Sequence, residues 1–198
     1  MIDYRTLALA FIPIFVAVDA PGVLPMFISL TEPLKKSQRA KVIRDSMITA
    51  AAIAIVFIFV GKSIFRFLGI TVYDFMVAGG SLLFILSIND LLNPEKSKRM
   101  PADTLGAVPL GMPLIVGPAV LTTSLIVMDT YGLVPTLMSV ILNILIAGLI
   151  FASADFFMKF IGKGGAKAIS KIASLFLAAI AVMMIRKGIV HIYLDIVK

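Results

Sequence analysis

Six long apolar stretches follow one another along the chain, and short polar links separate them. A helix that crosses a bilayer needs about 20 mostly apolar residues. The pattern therefore predicts six spans, at residues 6–30, 44–61, 72–92, 106–128, 133–156 and 172–194. The link between the fourth and fifth spans, DTYGLVP, is so short that these two helices are expected to be antiparallel neighbours.

Spans one and four contain prolines and glycines where an uninterrupted helix is expected. Span one carries DAPGVLP and span four carries VPLGMPLIVGPAV. Proline removes a backbone donor and clashes with the preceding turn, and broken backbone at membrane depth survives only when it is buried in protein or lines a wet cavity. Paired interruptions in corresponding segments are a pointer to the binding site of a secondary transporter. The pattern thus predicts a polar site where the two broken spans meet.

A weak internal repeat relates the two halves of the chain. IFRFLG at residues 64–69 matches FMKFIG 93 residues later, and the same offset brings SLLF at Ser81 onto SLFL at Ser174. A duplicated unit of three spans is odd-numbered, so the second copy enters the membrane from the opposite side.

The predicted fold is therefore an all-α integral membrane protein of two inverted three-helix repeats, with spans 1 and 4 broken near the midplane. The whole chain, 1–198, forms one transmembrane domain. Its first repeat is 1–92, its second is 106–198, and 93–105 is a cytoplasmic linker.

Composition supports a membrane protein and narrows its chemistry. The chain is 60% hydrophobic and 15% charged, whereas a soluble domain is about 25% charged. Cysteine is absent, which excludes disulfides and thiolate chemistry. The spans offer no Ser/His pair, second membrane aspartate or zinc cluster for intramembrane proteolysis, so an enzyme, a metal site and a bound cofactor are not expected.

Charge sets the expected partners and orientation. The net charge is +7, but no basic stretch alternates with aromatics as nucleic-acid binding needs, so the basic residues are expected beside anionic lipid of the bilayer. The links after spans one, three and five hold five, three and four lysines and arginines, twelve of the eighteen. The positive-inside rule then places these three links in the cytoplasm and both termini outside it. The expected location is the cell (inner) membrane. A cleaved signal peptide is disfavoured because Pro13 interrupts its apolar core.

Asp19 is the candidate residue with the strongest physical argument. An aspartate at the centre of a spanning helix costs roughly 2.5–3.5 kcal/mol on insertion. Asp19 either binds a coupling ion (H⁺ or Na⁺) or a substrate ammonium, or caps a half-helix that begins near Pro21. These roles are compatible, and the residues do not decide between them.

Half-helix ends at the two breaks suit a zwitterion, because N-termini attract carboxylates and C-termini attract cations. The predicted substrate-binding residues are Asp19, Ala20, Pro21, Gly22, Pro25, Gly117, Pro118, Ala119, Thr122 and Thr123.

For the other polar or small residues in the spans, a structural role is at least as well supported as contact with a ligand. Thr122 and Thr123 can hydrogen-bond back to their own helix. Asn143 is expected to hold two helices together, and Gly79 and Gly80 to allow close packing. Asn89 is a gate or an interfacial cap, and His191, the lone histidine, is not a metal site.

Three blocks in order make the chain resemble the MarC/SnatA family of six-span membrane proteins. DAPGVLPMFISLT is similar to the Asp-Pro-x-Gly-Asn-x-Pro-x-Phe signature of that family, FRFLGIT with AGGSLLFILSINDLL to its third span, and VPLGMPLIVGPAVLTT to its second break. Ala20 and Val23 depart from the signature, where proline and asparagine are expected, so ligand contact from an asparagine side chain is not available at Val23.

The resemblance implies transport of small neutral amino acids such as glycine, alanine or threonine, within the wider LysE-like superfamily. Two other classes stay open: a passive small-solute channel and a non-transporting membrane partner protein. The direction of transport, the coupling ion and the formation of a homo-oligomer stay open as well.

Overall fold

The computed structural model describes residues 3–92 and 105–197, with the backbone alone at some positions inside the helices. Every regular element in these two ranges is helical, as predicted. In chain order they are α1 (Tyr4–Val18), α2 (Ala20–Thr31), α3 (Lys36–Leu68), α4 (Val72–Leu92), an irregular helical segment (Gly106–Ile115), α5 (Pro118–Tyr131), α6 (Leu133–Ala152) and α7 (Ala154–Ile196). Apart from Leu105, the predicted linker 93–105 lies outside the described residues.

Five stretches of the described chain are long and apolar enough to cross a membrane, and a sixth results if one bent pair is counted as a single span. The first stretch, Tyr4–Ile28, joins α1 to most of α2. The bent pair is Gly106–Ile115 with α5. These lengths and compositions are those of an integral membrane protein.

Two helices run well beyond the spans predicted from the apolar pattern. α3 has 33 residues and continues past the predicted span 44–61 on both sides. α7 has 43 residues, and its backbone stays helical through 159–171, the stretch expected to link spans five and six. That stretch has no proline, and an interior glycine costs a helix only about 1 kcal/mol. A one-residue interruption at Ser153 instead separates α6 from α7.

A single residue interrupts span one. Asp19 has φ 44° and ψ 47°, the left-handed conformation, between α1 and α2. Its N–H donates to the carbonyl of Phe15, and its carbonyl accepts from the N–H of Val23, at 3.1 and 3.0 Å. Pro21 and Gly22 lie in the first turn of α2 and not in the gap between the helices. Proline is tolerated in a first turn because the backbone N–H it lacks would have no partner within the helix there.

The interruption of span four is longer. Val108 and Met112 are extended inside the segment Gly106–Ile115, and both precede a proline, which disfavours the helical conformation. Val116 and Gly117 then separate this segment from α5, and the two helices meet at 52°.

Helix packing brings both interruptions into the interior of the bundle. α1 contacts α5 and α6, the segment Gly106–Ile115 contacts α2 and α3, and α4 lies along α7. A side chain at Gly79 would place its Cβ 1.9 Å from Pro118 Cγ, and at Gly80 2.9 Å from the carbonyl of Ala181. The two glycines therefore let α4 approach the start of α5 and the middle of α7.

Candidate functional site

The two interruptions face each other across a small inner cavity. Asp19 lines this space from the first break, and Gly117 and Ala119 line it from the second. Its volume is about 40 Å³, room for only a few water molecules. The rest of the wall is apolar, with Leu83, Leu114 and Leu177 among its residues.

The side chain of Asp19 lies over the N-terminus of α2. Its Oδ1 accepts a hydrogen bond from the N–H of Gly22 at 3.3 Å, which is N-cap geometry. A Cβ at position 22 would lie 2.3 Å from Asp19 Oδ2, so the carboxylate fits because residue 22 is glycine. Oδ2 receives no hydrogen bond from the described residues. One carboxylate oxygen thus caps the helix, and the other remains for a ligand.

The N-terminus of α5 is built without a side-chain cap. Gly117 holds the N-cap position and has no side-chain acceptor. Its Cβ, if present, would lie 2.3 Å from the carbonyl oxygen of Pro113. The partial positive charge of this helix end is therefore not offset by a capping carboxylate, in contrast to α2.

A much larger cleft continues from the inner cavity. Its volume is about 610 Å³, within the range of small-molecule sites. Asp19 and Ala119 line both spaces, and Thr122 and Thr123 line the cleft. Because α1 and α7 have their free ends on this side, and α4 begins there, the cleft occupies the half of the bundle that holds the chain termini.

The predicted site residues separate into two groups in the structure. Five of them line at least one of the two spaces: Asp19, Gly117, Ala119, Thr122 and Thr123. The other five lie in or beside the first turns of α2 and α5 without lining either space: Ala20, Pro21, Gly22, Pro25 and Pro118.

The two threonines differ. Thr122 is 2% exposed, and its hydroxyl donates to the carbonyl of Ala119 at 3.1 Å. This is the hydrogen bond to its own helix considered above. Thr123 is half-buried, and its hydroxyl makes no hydrogen bond to the described residues.

Three polar residues of the cleft wall were not predicted as site residues from the sequence: Tyr73, Lys187 and His191. The Tyr73 and His191 rings are stacked, with centroids 4.6 Å apart. A local signal did exist, because Ile180, Met184, Lys187 and His191 recur at spacings of three and four and so share one face of a helix. Nothing in the sequence, however, indicated that this face meets Asp19.

The remaining polar candidates lie away from both spaces. Asn143 is 1% exposed, and its Nδ2 donates to the carbonyls of Phe11 on α1 and Ser139 on α6, at 3.4 and 2.8 Å. It joins these two helices. Asn89 is exposed near the end of α4.

Comparison with known proteins places this arrangement in a family. The model for MarC family integral membrane proteins matches residues 4–193. The chain belongs to the MarC family. The match runs through both helix breaks and the whole wall of the cleft, so the site described here lies within the region that defines the family.

Relatives of this MarC protein are similar over nearly their full length. A UPF0056 membrane protein of Methanocaldococcus jannaschii is 34% identical, over 92% of this chain and 86% of its own. A second one from that organism is 31% identical, over 94% and 97%. A UPF0056 membrane protein of Archaeoglobus fulgidus is 30% identical, over 91% and 90%. No solved structure matches the chain significantly.

Proposed function

We propose that this MarC protein is a secondary transporter of small neutral amino acids, such as glycine, alanine or threonine. The observation that carries the proposal is that Asp19 lines two adjoining spaces of very different size. A cleft of about 610 Å³ leads to Asp19, and the space beyond it narrows to about 40 Å³ between apolar side chains. Such a geometry is expected of one end state of alternating access.

The cleft and the inner cavity can hold ligands of different size. The cleft is large enough for a small solute and its water, whereas the inner cavity holds only a few water molecules. Leu83, Leu114 and Leu177 are buried and form part of the wall of the inner cavity. A substrate therefore enters from the terminal side, and the inner cavity must widen before the substrate reaches the other side.

The polar groups at the bottom of the cleft suit a zwitterion. Asp19 Oδ2 is available for an ammonium group or a coupling cation. The uncapped N-terminus of α5, at Gly117–Ala119, attracts a carboxylate. Few other donors are present, which favours a substrate with a small side chain. In this proposal the coupling ion is H⁺ or Na⁺, the protein has no cofactor, and it is not an enzyme.

Helix contacts support an inverted repeat as the framework for this movement. Exchanging the first three-span unit for the second converts the contact of α1 with α6 into that of Gly106–Ile115 with α3, and both occur. The same exchange relates the contact of α2 with α7 to that of α5 with α4, and both occur too. Rocking one unit against the other would then close the cleft and open the opposite side. With both termini outside, the state described here faces outward.

The test is uptake of labelled glycine and alanine into liposomes that contain the purified protein, at a series of pH values and with or without Na⁺. The wild type is compared with Asp19→Asn, which preserves the cap but removes the charge. Asp195→Asn is the matched control, since Asp195 is exposed on α7 and lines neither space.

We expect saturable uptake in the wild type and in Asp195→Asn, and uptake that is lost or no longer pH-dependent in Asp19→Asn. Unchanged uptake in Asp19→Asn would leave a carrier in which Asp19 only caps α2. Flux that rises linearly with concentration would indicate a channel. Absence of flux in folded wild type would contradict transport by the protein alone and favour a partner role.

A further inference from the structure

Lys187 brings a positive charge into the wall of the cleft. It lies on α7, one turn before His191, whose Nδ1 is 2.8 Å from the Lys187 carbonyl oxygen. Tyr73 of α4 stacks on the His191 ring. The three residues line the cleft, and so does Asp19, which also lines the inner cavity.

Three carboxylates near this end of the bundle are engaged elsewhere, and Asp195, two turns after Lys187 on α7, makes no ion pair with it. Asp74 accepts from the backbone and hydroxyl of Thr71, and Asp129 pairs with Lys62. Asp3 accepts from the N–H of Arg5 at the start of α1. Among the described residues, Lys187 has no ion-pair partner. Its charge is therefore available to a ligand in the cleft.

Lys187 and Asp19 line the same cleft. Met184 lines both the inner cavity and the cleft, as Asp19 does. Lys187 is three residues farther along α7, a rise of about 4.5 Å. The wall of the cleft thus carries a negative group, Asp19, and a positive group, Lys187, on different helices.

We propose that Lys187 is an outer carboxylate subsite, which binds the carboxylate of an incoming amino acid while its ammonium group points toward Asp19. This inference rests on the proposed function and adds a specificity-determining residue to it. The subsite selects molecules with a carboxylate over simple amines, which Asp19 alone would also attract. The substrate then moves inward to the uncapped N-terminus of α5.

Neighbouring residues on α7 provide a matched comparison. Both side chains are exposed, but Lys187→Gln removes a charge from the cleft wall, whereas Arg186→Gln removes an equal charge from a position that does not line the cleft. Both variants change the surface potential on the same side of the membrane. Lys187→Arg keeps the charge at the subsite.

Uptake kinetics give the first measurement. We expect the KM for glycine to rise about three- to fivefold in Lys187→Gln, because an ion pair with an exposed side chain contributes up to about 1 kcal/mol. Arg186→Gln should stay within about twofold of the wild type, and Lys187→Arg should restore most of the affinity. Equal effects of Lys187→Gln and Arg186→Gln, or no effect of either, would overturn the subsite.

Ligand-induced thermal stabilisation in detergent gives a second measurement that does not need transport. Glycine should stabilise the wild type and Arg186→Gln more than glycine amide does, and this difference should disappear in Lys187→Gln. A preference for glycine over glycine amide that depends on Lys187, without uptake, would refute the proposed function and keep the subsite. Uptake with no difference between glycine and glycine amide would keep the function and refute the subsite.

Discussion

Both helix breaks interrupt a predicted span and start a new helix, but they differ in length and in how the new helix begins. The first is one residue long and is fixed by the side chain of Asp19, which caps α2. The second takes an irregular segment of 10 residues and a bend of 52°, and Gly117 at the start of α5 has no side chain to cap with. One break therefore contributes a carboxylate to the cavity, and the other contributes bare backbone.

This difference shows how opposite polarities can be built into one site. A capped helix N-terminus with a free carboxylate oxygen attracts a cation, and an uncapped N-terminus attracts an anion. Two identical breaks would give a site of one polarity. Packing also differs, because a Cβ at Gly22 would meet only a side chain, whereas a Cβ at Gly117 would meet a backbone carbonyl.

The largest expected effect is the difference in stability between the variants Gly117→Ala and Gly22→Ala. The new Cβ at position 117 would conflict with the carbonyl oxygen of Pro113, which cannot move alone, so we expect a loss of about 3 kcal/mol in stability. At position 22 the Asp19 carboxylate can rotate away, and loss of the cap costs about 1 kcal/mol. Thermal unfolding in detergent measures both, and equal losses would contradict the contrast between the breaks.

Gly79→Ala tests how closely α4 must approach the second break. Its Cβ would overlap the ring of Pro118, so we expect a loss of roughly 2–3 kcal/mol from overpacking. Ala78→Leu is the control, since Ala78 is exposed and should tolerate the added bulk. Combining Gly79→Ala with Pro118→Gly should cost less than the sum of the two single changes, because residues in contact are not independent. Additive losses would show that the overlap is relieved elsewhere.

Substitutions of Asp19 separate its two structural contributions at the first break. Asp19→Ala should lose about 2 kcal/mol, one part from the cap and one from a left-handed conformation that alanine disfavours. Asp19→Gly should lose only the part that belongs to the cap, and Asp19→Asn should remain near the wild type. Thermal unfolding in detergent measures the stability of the three variants and tests this order. A stable Asp19→Ala variant would mean that neither the cap nor the φ of 44° matters to folding.

The smallest effect is expected at the pair formed by Lys62 of α3 and Asp129 of α5, both of which are largely exposed. Exposed ion pairs contribute less than about 1 kcal/mol and are screened by salt. Lys62→Gln should therefore lower the unfolding temperature slightly at low ionic strength and leave it unchanged at high salt. A large decrease in the unfolding temperature at both ionic strengths would show that the ion pair itself holds α5 in place.

The local pattern of residues was sufficient to predict the helical fold and the location of both breaks. Proline and glycine act on their own backbone and on the preceding turn, so their effect is local and can be read from the sequence. For the same reason, the possible cap at Asp19 was visible three residues before Gly22. The link at 159–171 was misjudged because polar residues end an apolar span without ending a helix.

Only the tertiary structure decided what the breaks face. Lys187 and His191 stand more than 160 residues from Asp19 in the sequence, and Tyr73 belongs to another helix. Their place beside Asp19 results from the packing of α4 along α7 and of α1 against α5, contacts that depend on the shapes of several helix faces together. The chain thus determined by itself where its backbone breaks, because that is local, while the charges around the breaks depend on non-local packing.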